Sequence, residues 1–387
     1  MTLAGLDVIV IGGGVAGLAA AARLRQCGAQ VLLLEQAGAF REVGAGLQIS
    51  PNGARVLGAL GLEGALSQAA LRARAVVLRA GGSGQQVLRL ELPHSGAGFH
   101  LVHRADLISL LESALGGVET RFVAQVAQVS PDGPRPSVTL HGGERLSADL
   151  VLGADGLHSV LRPALHEGPP ETPFFTGQVA WRALIPATPG APAEAQVFMG
   201  PGCHLVSYPL RGGGLRNIVA VQERRTWVSE GWNHPDTPEN LRAAFAGFGG
   251  PVPEWLAQVR QVFLWGLFRH PVARHWHRGH AAILGDAAHP TLPFMAQGAN
   301  MALEDAWQLA QCLQQAPIAR ALQEYQTARR ARVARVIAAA NRNARNYHLR
   351  PPLAPVAHAG LRLMSRLRPD AALRQFSWIY DFDVTRP

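Results

Sequence analysis

Lysine is absent from this chain: all 36 basic residues among its 387 are arginine. That absence excludes nothing about mechanism and reads as the mark of a GC-rich genome. Cysteine is scarce, and this scarcity is informative. Cys27, Cys203 and Cys312 are odd in number, widely spaced and without metal-ligand spacing, so neither a disulfide framework nor a metal site is implied. A reducing cytoplasm is the expected setting. A long uninterrupted hydrophobic run is also missing. The apolar start, 8–22, has no basic flank and is broken by Gly12-Gly13-Gly14, which excludes a signal peptide and a transmembrane segment. No internal repeat and no RNA- or DNA-binding motif is present.

Glycine and proline are plentiful, 42 and 27 residues, and hydrophobic patterning continues almost throughout, so they imply tight turns rather than disorder. The length suits two domains, or one large α/β unit carrying an inserted sheet. The formal net charge of +9 sits largely late in the chain, where 320–368 holds eleven Arg and one acid, Glu324. A solvated amphipathic helix in an Arg-rich protein accounts for this; contact with an anionic membrane or nucleic acid is the alternative.

Taken in order, 7–11 (DVIVI) is a buried β-branched strand, followed by Gly12-x-Gly14-x-x-Gly17 and an alanine-rich helix opening on Val15 and Ala16. A second apolar strand closes on Glu35 and Gln36. Strand, Gly turn, helix, strand and acid form the dinucleotide-binding fingerprint, with glycines letting backbone N–H groups approach a pyrophosphate at the positive helix end. Glu35 is placed to accept from an adenosine ribose. The polar, glycine-rich loop 40–52, which holds Arg41 and Gln48, suggests a chain lying along an extended cofactor. Arg104 precedes a helix, and a hairpin surrounds 131–133. A second strand ends in Gly153-Ala154-Asp155-Gly156. From 174 to 265 the texture changes to short alternating strands, then a buried run at 281–284 leads into Gly285-Asp286 and a loop stiffened by Pro290 and Pro293. The end is helical.

Together these four pieces resemble the single-component FAD-dependent aromatic hydroxylases, the flavoprotein monooxygenases of the para-hydroxybenzoate hydroxylase fold, over nearly the whole chain. The resemblance implies an α/β (α+β) fold with a Rossmann-like FAD-binding domain at 1–172 and 271–345, an inserted antiparallel-sheet substrate domain at 173–270, and a C-terminal helical segment at 346–387. It implies FAD as cofactor, NADH or NADPH and O2 as co-substrates, and a flavin hydroperoxide that hydroxylates a small aromatic substrate. No second G-x-G-x-x-G appears, in keeping with the absence of a separate nicotinamide domain. By the resemblance, Glu35 and Gln36 hold the adenosine end, Arg41 and Arg104 the ribose and pyrophosphate, Val126 the adenine through its backbone, and Asp286 the ribitol and pyrophosphate region. Asp155 serves FAD and NAD(P)H or caps a strand end. The helix N-terminus at Gly298-Ala299-Asn300 carries about half a positive charge, suited to the pyrimidine edge of a reduced flavin.

In the strand around Cys203, positions 204, 206 and 208 share one face, so His204 and Tyr208 can line a pocket together. A phenol attacked by an electrophilic oxygen reacts better deprotonated, and His is a suitable base. This His–Tyr pair, the loop 285–292 and Gln297 look most like 3-hydroxybenzoate 6-hydroxylase, whose matching His and Gln act at the substrate; salicylate hydroxylases are a close second. The 6-hydroxynicotinate hydroxylases place His where this chain has Gln48 and Phe294, which argues against a pyridine substrate. Arg182 either meets a substrate carboxylate or stabilises the fold, and Phe294 and Met295 supply an apolar wall. His289 is expected to hold the loop's shape. A flavin oxidoreductase without oxygen insertion is the alternative from another class. The sequence leaves open the exact aromatic and the oligomeric state, a homodimer included.

Overall fold

A computed structural model of the chain describes residues 2–40, 46–133, 135–166, 171–226, 234–367 and 371–386. Its first layer is a six-stranded sheet in the order His277–Arg278, Ala281–Ile283, Leu150–Gly153, Asp7–Ile11, Gln30–Leu34, Glu119–Arg121. All pairings are parallel except the His277–Arg278 edge. Strands such as Asp7–Ile11 and Leu150–Gly153 are apolar on both faces because a parallel sheet is covered on both sides. Helix Val15–Gln26 is almost wholly buried against this sheet, and helix Gly298–Gln315 packs beside it.

An eight-stranded sheet forms the second layer, in the order His234–Asp236, Val262–Arg269, Phe174–Pro186, Leu215–Glu223, Cys203–Leu210, Glu194–Gly200, Ala75–Ala80, Gln86–Glu91. The sheet expected over 173–270 thus reaches beyond that segment, because the last two strands come from earlier in the chain. It is also not purely antiparallel: Glu194–Gly200 pairs in parallel with Ala75–Ala80. Those strands arrive from distant sequence, so no hairpin connection dictates their direction. Alternation divides the two faces. Val179, Trp181, Ala183, Ile185, Leu205, Ile218 and Ala220 pack with Leu241 of helix Pro238–Ala244, with Phe245 just after it, and with Val252, Trp255 and Leu256 of helix Val252–Ala257. The opposite face, with Arg182, His204, Val206 and Tyr208, turns toward the first layer and its cavity.

The chain ends in helices Gly298–Gln315, Ile318–Tyr347, Leu353–Leu367, Ala371–Arg374 and Ser377–Tyr380. Among the described residues, no helix is long and apolar enough to cross a membrane.

Candidate active site

The strand–turn–helix at the N-terminus builds one end of a cavity of about 680 Å³. Gly12 turns at φ +99°, and a Cβ there would lie 2.5 Å from the Ala154 carbonyl oxygen, so the backbone approach is one only glycine permits. Helix Val15–Gln26 begins at once, and Gly14, Val15 and Ala16 line the cavity. Gly17 stands behind the wall: a Cβ there would meet the Gly12 carbonyl oxygen at 1.8 Å, so its function is close helix–strand packing. Glu35 accepts from the Gly13 N–H at 2.6 Å and the Ala37 N–H at 2.7 Å, which ties the second strand's acid to the glycine turn. Gln36, Gln48, Arg104 and Val126 continue the wall. Arg41 lies outside the described residues.

The middle of the cavity carries opposed charges. Asp286 is reachable from the cavity yet has protein around it; burial pushes its carboxyl up, and His289 and Arg104 oppose that. Burial likewise lowers the Arg104 guanidinium, and Asp286 counters it. Asp155 lines the cavity and caps the turn after its strand: its Oδ2 accepts from the Val160 N–H at 2.7 Å, while Oδ1 is buried with no hydrogen-bond partner among the described residues. Arg182 lies flat on the Trp265 ring, 3.6 Å from its centroid. Burial, and then the charge of Arg104, bring its pKa down to about 9.

The far wall is the 285–300 loop. Gly285, at φ +60°, lies behind the wall and donates its N–H to Asp305, as does the fully buried His289 through Nε2. His289 therefore holds the loop's shape. Pro293, Gly298 and Ala299 reach the cavity, where helix Gly298–Gln315 points its N-terminal turn. One expectation needs correcting, the placing of Gln297 at the substrate. Gln297 does not line the cavity. Its amide is buried in a polar cluster, accepting from Asn52 Nδ2 at 3.2 Å and donating to Ser50 Oγ at 3.0 Å. The Asn300 side chain is similarly spent on protein: it donates to the Gln48 and Ala296 carbonyls and accepts from the Ser50 N–H. Both side chains staple the helix start to the 46–52 segment, because buried polar groups must be paired. Any cofactor contact at Asn300 would come from its backbone.

The sheet supplies the floor. His204, Val206 and Tyr208 all line the cavity, as strand alternation requires. Tyr208 packs so closely on Gly46 that a Cβ at Gly46 would meet its ring at 2.5 Å, and Gln48 hydrogen-bonds its hydroxyl. Burial raises the Tyr208 pKa, keeping it a neutral phenol. His204 is 1% exposed, and burial, then His348, hold it well below its usual pKa. Its Nδ1 is 2.7 Å from His348 Nε2, and His348 Nδ1 is 3.0 Å from Glu223 Oε1. The chain of bonds fixes its own tautomers. Ionised Glu223 only accepts, so His348 Nδ1 carries the proton and its Nε2 accepts. His204 Nδ1 must then be the donor, which leaves His204 Nε2 with a lone pair. Sequence reasoning missed His348 and Glu223, since they lie 144 and 19 positions from His204 with no spacing to link them.

These residues fit an extended flavin dinucleotide. The cavity pairs a glycine-lined pyrophosphate end with a helix N-terminus, and Asp155 Oδ1 and Arg182 Nε are buried polar atoms without hydrogen-bond partners among the described residues. Comparison with known proteins agrees. A family model described as an FAD binding domain matches residues 5–340. The chain is 38% identical to a 3-amino-4-hydroxybenzoate 2-monooxygenase of Streptomyces platensis, covering 97% of this chain and 96% of that protein. It is 33% identical to the 3-hydroxybenzoate 6-hydroxylase of Klebsiella oxytoca, covering 89% of each. Among solved structures, a salicylate hydroxylase substrate complex superposes with a TM-score of 0.82 at 26% identity, covering 98% of this chain and 96% of that one.

Proposed function

From this chain's membership of the FAD-binding-domain family of flavin-dependent aromatic monooxygenases, we propose that its substrate is a phenolic aromatic acid of the hydroxybenzoate type and that His204 is the base. FAD is the cofactor, a reduced nicotinamide and O2 are co-substrates, and the reaction is hydroxylation of an aromatic ring. When bound, FAD takes electrons from the nicotinamide and activates O2. The protein's own residues do the rest. Gly14, Val15 and Ala16 offer backbone N–H groups to the pyrophosphate, with Arg104 and Asp286 beside it, while Gly12, whose N–H goes to the Leu34 carbonyl, supplies the turn. The N-terminus of helix Gly298–Gln315 favours negative charge at the ring end. The cytoplasm is the proposed compartment, supported by three cysteines that are all buried free thiols.

The observation that carries the substrate reading is the His204–His348–Glu223 chain, which begins on the cavity floor and ends on a carboxylate that is 43% exposed. A phenol proton taken at His204 Nε2 is matched by transfer of the Nδ1 proton to His348, and of the His348 Nδ1 proton to Glu223. The net result is a phenolate in the cavity and a proton at the surface. Arg182 is the cation on the same floor that an aromatic carboxylate would meet. Its opposition to Arg104 eases when an anion arrives.

A panel of aromatic acids tests the function. A hydroxybenzoate should stimulate NAD(P)H oxidation and be recovered with one added hydroxyl; oxidation that no aromatic stimulates, or that yields no hydroxylated product, would overturn it. Salicylate belongs on the same panel, given the fold shared with a salicylate hydroxylase. The relay has its own test. His348→Ala should lower turnover about 10- to 100-fold, less than loss of the base itself, which is worth about 10²–10⁴. Added imidazole should restore part of it. A purely structural His348 would show no such rescue.

A further inference from the structure

A second cavity, of about 490 Å³, adjoins the first, and Gln48, Val206, Pro293 and Ala296 line both. Its floor is the same sheet face. Register carries one row of side chains across six strands: Arg182 opposite Val219, then Val206, Val197, Leu78 and Leu88. Paired residues point to one face, so this row is a continuous floor, cationic at Arg182 and aliphatic from Val219 onward. Leu361 and Met364 of helix Leu353–Leu367 line the chamber from another element. Phe294 and Tyr347 also line it, and each ring lies 5.3 Å from the His204 ring, so the chamber abuts the proposed base.

Charge and size indicate what belongs there. Among the described residues, no Asp, Glu, Lys or Arg lines the chamber. A carboxylate placed in it would find no arginine, only polar side chains such as Asn343, Asn346, His358 and Gln375 among a mainly aliphatic lining, and losing water without a counter-charge is unfavourable. An apolar cavity of about 150 Å³ holds a benzene ring. The chamber is about three times that, so a single ring does not account for it. We infer that the substrate is a phenol whose ring lies over Val206, between His204 and Tyr208, and whose aliphatic substituent of several carbons extends into this chamber. The inference rests on the hydroxylase reading above and adds the substrate's apolar part.

The test is a series of phenols carrying n-alkyl groups from methyl to hexyl, titrated into the FAD-loaded enzyme and followed by the flavin absorbance change, with NAD(P)H oxidation measured in parallel. Affinity should rise about fourfold per added methylene until the chamber is full, the effect of burying a CH₂. Leu361→Trp should abolish that gain while leaving the methyl compound's affinity unchanged, and Leu88→Trp offers the same block from the sheet side. Flat affinity along the series in the wild-type enzyme, with the short phenols still bound and hydroxylated, overturns the chamber assignment and leaves the hydroxylase standing. Absence of any aromatic-stimulated oxidation overturns the hydroxylase reading instead.

Discussion

His204→Ala should lower formation of hydroxylated product by about two to four orders of magnitude, the usual contribution of a positioned base, while the protein still purifies with FAD. The two readouts separate because His204 lies on the sheet floor, whereas the glycine turn, Arg104 and Asp286 lie on the opposite layer. NAD(P)H consumption should outlast product formation, since an aromatic that keeps its phenolic proton is a poorer target. The alanine also leaves His348 Nε2 buried without its donor, at a cost of about 1–3 kcal/mol. His204→Gln is therefore the better second variant, because an amide can still donate to His348 but cannot act as a base. The acid side of the profile provides a further check. Burial and His348 keep His204 neutral far below its ordinary pKa, so wild-type turnover should hold as pH falls through 6.5 and drop only at lower pH. Normal coupling in both variants would remove His204 from the mechanism.

What could be read from the sequence was local. The glycine fingerprint is legible because strand, turn and helix are contiguous and each glycine answers to a nearby backbone atom, Ala154 excepted. The shared face of positions 204, 206 and 208 needs only strand alternation. Gln297 was misread for the converse reason. Its partners, Asn52 and Ser50, lie some 245 positions away, and nothing near Gln297 tells whether its amide turns to the cavity or beneath the helix. The Glu223–His348–His204 chain and the chamber were invisible for the same reason. The first links a strand end to the C-terminus of a 30-residue helix. The second exists only because Ala75–Ala80 pairs with Glu194–Gly200 across more than a hundred residues. Backbone motifs are written in consecutive residues; side-chain networks are written in the tertiary fold.

Arg329→Leu should be the most destabilising single change near the site, by about 3–5 kcal/mol, out of the about 5–15 kcal/mol that holds a typical domain folded. Arg329, Glu304 and Asp305 are each 0% exposed. The guanidinium meets Asp305 Oδ1 at 2.7 Å and Glu304 Oε2 at 2.6 Å. Arg332 reaches Glu304 as well, and Asn52 donates to it at 2.6 Å. Burial alone would push both carboxyls up; instead His289 and Arg329 hold Asp305, and Arg329 with Arg332 hold Glu304, below the usual range. Without Arg329 two buried carboxylates share too little positive charge, and burial wins. Their folded-state pKa values then rise above those of the unfolded chain. Protonation in the folded state relieves the buried charge, so the deficit should be largest near pH 8 and shrink as the pH falls toward 5. The damage should also reach the cofactor, because Asp305 holds the Gly285 N–H and His289, and through them the loop carrying Asp286 and Pro293. Thermal unfolding at both pH values, with and without added FAD, measures this. A midpoint unmoved at pH 8 would show that Arg332 and His289 suffice to neutralise the pair. A large shift with the same size at pH 5 would point to lost packing of the Arg329 side chain rather than to the carboxylates it faces.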